Sequence, residues 1–260
     1  MTPLIPAELL QKSDKILFIA HLALGDFTYL QNGFRAFAAA YPHMQIHLWV
    51  DEVRRTSDAR QWESLRTYSL YDWVEQSGLF YKVYRKTYSP ALYEESLREA
   101  KAEHYPVVVS LAHVRPQQYA DLARAISPRG LVIGTRKPFS PLRPWHYLAY
   151  RKIDAVLASY AGQDAGEHHI SSVYADWFHQ LTGLDIPVAE RYPFVRGFAP
   201  RQGPLVLLNP FAKSHKRGWP LERIVELIAR MQAMPKWANA CFLINAMPQE
   251  LAKVNAVVAS

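Results

Sequence analysis

"KILFIAHLALGDFTYLQNGFRAFAAAYPHMQIHLWV", residues 15–50, decides the fold. Its opening "KILFIA" (15–20) is a continuous apolar run, as a parallel strand buried on both faces requires. Beyond the turn "HLALGDF" (21–27), residues Phe27, Leu30, Phe34, Phe37, Ala38 and Tyr41 recur at three- and four-residue steps, which predicts a helix with one apolar face. "MQIHLWV" (44–50) reads as a second strand. Together they form a βαβ unit, the building block of doubly wound sheets with right-handed crossovers.

The alternation continues outward. A polar helix is expected over 92–104, a strand at "PVVVSLA" (106–112), a helix over 116–126 and a strand at "GLVIGT" (130–135). "TRKPFSPLRPWHYLAYRK" (135–152) is too rich in proline to be one helix and reads as an exposed loop. "GEHHISSVYADWFHQLT" (166–182) reads as a helix stopped at Gly183. "DIPVAERYPFVRGFAPRQGP" (185–204) has little periodicity and reads as a linker between a domain at 1–184 and a second at 205–260. The latter holds a strand at "LVLLNP" (205–210), a turn "FAKSHKRGWP", a helix over 221–232, a strand at "ACFLINA" (240–246) and a helix starting at 248. The fold class is therefore α/β: a Rossmann-like doubly wound domain followed by a partial one.

Half of the residues are hydrophobic and 20% are charged, a globular balance, with a net charge of +7. Cys241 is the sole cysteine, which excludes internal disulfides and any cysteine zinc site. The start "MTPLIPAELLQKSDK" lacks the basic and apolar regions of a signal peptide, and no apolar run reaches the roughly 20 residues that cross a bilayer. A cytoplasmic location is expected, with peripheral contact to the inner membrane left open. Between Asp121 and Asp154 there is no acidic residue, yet the window holds Arg124, Arg129, Arg136, Lys137, Arg143, Arg151 and Lys152, which equal the whole net charge. One basic stretch points to an anionic ligand or surface, or to a solvated loop. Trp145, His146, Tyr147 and Tyr150 lie in it. They either stack on a ligand or anchor the loop, and no nucleic-acid motif accompanies them. His168 and His169 point about 100° apart on a helix and cannot clasp one metal, so no metal site is expected.

Two strand-to-helix turns can carry chemistry. In the first, Gly25 lets the backbone turn and a ligand approach, while the helix start favours negative charge. Asp26 there is either an N-cap or a base facing the cleft at the carboxyl ends of the strands. In the second, Lys213, Lys216 and Arg217 precede a helix beginning near Pro220 and Leu221. A phosphate would satisfy both these cations and the free helix N–H groups, the alternative being an exposed basic turn.

Taken together, the stretch 15–50, "HHISSVYADWFHQLTGL" and "LVLLNPFAKSHKRGWPLERIVELIARM" resemble glycosyltransferase family 9, the bacterial lipopolysaccharide heptosyltransferases. The resemblance covers most of residues 15–255 and implies a GT-B fold of two Rossmann-like domains. It further implies metal-independent, inverting transfer of heptose from ADP-heptose to the anionic lipopolysaccharide inner core, without a cofactor. By the same likeness, Asp26 matches the catalytic base, with Gly25 beside it. Lys213, Lys216 and Arg217 match cations on the donor diphosphate, Arg217 standing two residues before Trp219, and Glu250 a donor ribose contact. Gly25, Arg85, Lys86, Arg115, Arg136, Lys137 and Arg143 fall where the family binds its acceptor. The family's D-T/S-G-x-x-H-L-A donor motif does not occur before Ser260. The alternative expectation is thus a non-catalytic remnant that binds acidic glycolipid or a protein partner.

Overall fold

A computed structural model describes the chain apart from residues 1, 22–23, 113, 139–140, 143, 159–168, 188–202, 213–216, 248–249 and 259–260. It divides into one compact unit at Met1–Phe194 and another at Val195–Ser260.

The first unit runs α1 (Ala7–Lys12), β1 (Lys15–His21), α2 (Leu24–Ala40), β2 (Gln45–Asp51), α3 (Trp62–Arg66), α4 (Ser69–Ser77), β3 (Lys82–Tyr84) and α5 (Pro90–Ala102). It continues with β4 (Val107–Ser110), α6 (Pro116–Ile126), β5 (Leu131–Gly134), α7 (Pro144–Tyr150), β6 (Ala155–Val156) and α8 (Ile170–Thr182). The strands form one parallel sheet in the order β3-β2-β1-β4-β5-β6, the doubly wound order expected from the βαβ pattern.

The continuous apolar runs have a direct cause. Ile16, Phe18 and Ala20 of β1 face a core shared with α2 and α8, whereas Leu17 and Ile19 face a second core with Ala100 of α5 and Tyr119, Leu122 and Ala123 of α6. Successive side chains point to opposite faces of a sheet, and with both faces covered neither parity can be polar. The α2–α8 contact is close because Gly33 has no Cβ, which would otherwise overlap the ring of Phe178. Gly183 ends α8 in the left-handed conformation (φ 78°), the stop its sequence indicates.

Two sequence expectations need correction. The loop over 135–152 contains α7, because its prolines precede the helix and Pro144 sits at the first helical position, where its missing N–H costs nothing. Tyr150 and Ala149 of that helix are buried. Residues 24–26 are also helical rather than a preceding turn, so Asp26 lies in the first turn of α2 and is not its cap. The sequence passes over α1, α3, α4, β3 and β6, which are too short to show a period.

The second unit holds β7 (Leu205–Leu208), α9 (Leu221–Gln232), β8 (Cys241–Ile244) and α10 (Leu251–Val258). β7 and β8 pair in parallel, from Leu205 opposite Cys241 to Leu208 opposite Ile244. Pro210, Ile224 of α9 and Val254 of α10 are its buried apolar residues among those described.

Candidate functional site at the carboxyl edge of the first sheet

Open α/β sheets bind ligands beyond the carboxyl ends of their strands, where the winding direction reverses. Here the reversal lies between β1 and β4, and β1 leads into α2 with Gly25 and Asp26 in its first turn. Gly25 is exposed, and a Cβ placed on it would meet nothing within 4 Å. Packing within the protein therefore does not require a glycine there. Asp26 is half-buried, and burial, joined by a smaller contribution from the Asp26 charge, pushes the Tyr174 hydroxyl of α8 well above the ordinary tyrosine range.

One turn further along α2, Tyr29 stacks on Tyr174 with ring centroids 6.3 Å apart. The same face opens on a cavity of about 220 Å³ lined by Thr28, Tyr29, Asn32, His169 and Ser171. Asp26, one turn before Tyr29, is not among the residues that line this cavity.

The other strand ends deliver the basic residues named from sequence. Arg85 and Lys86 follow β3, Arg115 follows β4 and directly precedes α6, and Arg136 and Lys137 follow β5. All five are exposed, on one edge of one sheet. Arg85 makes a loose pair with Glu75 (3.6 Å), and Arg115 adopts a left-handed backbone (φ 58°). Arg143, Lys213 and Lys216 lie outside the described residues. In the basic window, Arg124 and Lys152 are structural: Arg124 pairs with Asp154 (2.7 Å) and donates to the carbonyl of Gly130, and Lys152 pairs with Asp121 (2.7 Å).

In the second unit, Arg217 is exposed just before Trp219, whose N–H donates to the Pro210 carbonyl (2.8 Å), and α9 begins at Leu221. Glu250 precedes α10, and its carboxylate accepts from the Met247 N–H (2.8 Å), which fastens the local turn.

Beneath this edge lies a network that sequence reasoning missed. The Val114 N–H donates to His21 Nε2 (3.3 Å), so the neutral ring carries its proton on Nδ1, facing the Tyr119 hydroxyl (3.3 Å). Tyr119 in turn donates to Asp51 Oδ2 (2.9 Å), and Arg55 donates to Asp51 Oδ1 (2.5 Å) while lying 3.8 Å over the Tyr93 ring. Beside it, the fully buried Glu52 accepts from the Arg54 backbone N–H, Nε and Nη2 (2.8, 2.8 and 2.6 Å). The Glu52 N–H donates to Thr87 Oγ1 (2.9 Å), and the hydrogen bond between the Glu52 carboxylate and the guanidinium holds the Arg54 pKa up. Each buried charge is thus matched by an opposite one, the condition for its tolerance. The signal was present: "DEVRR" (51–55) puts two acids and two arginines directly after an apolar strand.

No protein-family profile matches the sequence, and no curated protein is significantly similar to it. Solved structures are similar in fold. A glycosyl transferase family 9 protein from Veillonella parvula matches with a TM-score of 0.61 at 14% identity, over 95% of this chain and 66% of that one. The chain has the fold of these glycosyltransferases. E. coli heptosyltransferase WaaC with ADP gives 0.59 at 13% identity, over 94% of this chain and 71% of that one. E. coli ADP-heptose lps heptosyltransferase II gives 0.59 at 14%, over 94% and 68%. The chain therefore spans about two thirds of the length of the proteins it resembles.

Proposed function

We propose that the chain is a glycosyltransferase module that passes heptose from ADP-heptose to the anionic inner core of lipopolysaccharide, with inversion and without a metal. The observation that carries this reading is Asp26. It is a half-buried carboxylate in the first turn of α2 at the carboxyl end of β1, beside an exposed glycine that no protein contact requires. A fold shared with heptosyltransferases over 94% of the chain supports it.

Displacement at an anomeric carbon needs a base for the attacking hydroxyl and positive charge for the leaving diphosphate. Asp26 is the base: it removes the acceptor hydroxyl proton as the new glycosidic bond forms and the bond to ADP breaks. Arg217, with Lys213 and Lys216, holds the departing diphosphate, and Glu250 contacts the ribose. Arg85, Lys86, Arg115, Arg136, Lys137 and Arg143 hold the acceptor's phosphates and carboxylates.

The test is product formation from ADP-heptose and a heptose-deficient core acceptor. Asp26→Asn is expected to lower the rate by about 10²–10⁴-fold, the usual weight of a general base, with an unchanged melting temperature. Loss of stability without a specific loss of rate would assign Asp26 to the helix terminus alone. Absence of turnover together with absence of ADP binding by calorimetry would favour the second reading, a glycolipid-binding chain without catalysis. The exposed apolar side chains of Leu205 and Leu207 in the second unit are the observation on its side.

A further inference from the structure

Helix α7 is amphipathic the wrong way round. At roughly 100° per residue, His146, Ala149 and Tyr150 fall on one side, and the latter two are buried where α7 packs on α6. Pro144, Trp145, Tyr147, Leu148 and, just past the helix, Arg151 fall on the other. Trp145 is 60% exposed, Tyr147 52% and Leu148 60%, and the preceding Leu142 is 83% exposed. Single exposed apolar residues are ordinary, but four large ones within seven positions are not.

The surroundings say what covers them. Arg136 and Lys137 on the approach to α7 and Arg151 at its end are exposed and enter no salt bridge among the described residues. No acidic residue occurs from 122 to 153. An apolar protein partner would gain nothing from unpaired cations around the contact, whereas an anionic bilayer needs both parts. Leucine enters the acyl boundary, tryptophan and tyrosine settle at the headgroup level, and arginine and lysine meet the phosphates. Among the described residues no helix is long and apolar enough to cross a membrane, so the contact lies in the plane of the surface.

We infer that α7 and its flanking cations dock the first unit onto an anionic phospholipid surface. The inference shares Arg136 and Lys137 with the transfer reading but is tested apart from it, because plain phospholipid without any sugar acceptor is the binding partner and the variants below leave those two residues in place. Docking would nevertheless present the basic carboxyl edge of the sheet to molecules held in that membrane.

Cosedimentation of the full chain with phosphatidylglycerol–phosphatidylcholine vesicles tests it. Binding is expected, falling at least about tenfold with pure phosphatidylcholine or at high salt, as a screened surface attraction must. The double variant Trp145→Ser/Leu148→Ser should bind about tenfold more weakly at an unchanged melting temperature, both residues being exposed. Arg151→Glu, which leaves the apolar face intact, should lose binding to anionic vesicles while keeping whatever neutral binding exists. Failure of the native chain to sediment with anionic vesicles would overturn the inference, as would undiminished binding by the double variant. A vesicle-free dimer that dissociates in the double variant would instead make the patch a contact between copies.

Discussion

β1–α2 and β7–α9 use the same device, an apolar strand that turns into a helix, yet one is a core and the other a surface. Five of the seven β1 residues are buried, between two other strands and two layers of helices. Among the described residues β7 has a single partner strand, and Leu205 and Leu207 are more than half exposed although its four residues are all Leu or Val. An apolar run specifies a strand, but burial is a property of its neighbours. Stability is therefore concentrated in the first unit.

The comparison breaks most directly at Phe18 and Leu207. Phe18 is fully buried, with the rings of Phe34, Phe37 and Phe178 at 5.2, 5.5 and 5.9 Å. Phe18→Ala is expected to cost about 3–5 kcal/mol through lost contacts and a cavity. Leu207→Ala should stay within about 0.5 kcal/mol, as surface changes do. Denaturant melts read by hydrogen exchange in each unit would show it. Equal costs would mean that β7 is as well packed in solution as β1.

A second, smaller effect sharpens the account of where stability sits. His47 of β2 is 1% exposed, with its Nδ1 2.7 Å from the Tyr105 hydroxyl, which meets the Tyr84 hydroxyl at 2.8 Å. Burial pushes its pKa down from the usual 6.5 to about 4, against the opposing pull of Glu103. The folded state therefore disfavours the proton. The stability this confers is complete above pH 6.5 and is lost as pH falls from 6.5 towards 4, by up to roughly 3 kcal/mol. Glu103, held down to about 2 chiefly by its hydrogen bond to Lys15, loses its own contribution as pH falls from the usual 4.5 towards 2, mostly below the His47 window. Melts of the native chain and of His47→Gln between pH 7 and 4 separate the two. The variant's curve should be flatter in that window, and an equally steep curve would remove His47 as the cause.

The same contrast explains how much could be read in advance. The βαβ opening was legible because both faces of β1 are covered, which forces an apolar residue at every position. The end of α8 was legible because Gly183 alone supplies the conformation that stops it. Short α7 was hidden by its prolines, although they lie before or at its first position. Asp26 was visible as a carboxylate beside a glycine at a strand end, while its placement within α2 depended on where the helix starts. The His21–Tyr119–Asp51–Arg55 network was not legible as a unit, because its members lie up to 98 residues apart and meet only through the parallel pairing of β1 with β2 and β4.

The smallest expected effect concerns Arg115, where fold and function pull in opposite directions. It holds a left-handed backbone (φ 58°, ψ 46°) at the start of α6 without a side-chain cap, and its side chain is exposed beside the carboxyl edge of β4. That conformation costs a residue with a Cβ about 1 kcal/mol or more, and glycine tolerates it freely. Part of the gain is returned because glycine is freer in the unfolded chain. Arg115→Gly should therefore stabilise the first unit by about 0.5 kcal/mol. If the arginine binds an anionic acceptor, the same change should raise KM for that acceptor while leaving kcat nearly intact. A variant that is more stable and binds acceptor as before would reduce Arg115 to a tolerated strain. One that is more stable and binds more weakly would show that the strain is kept for the ligand, as left-handed residues at functional sites are.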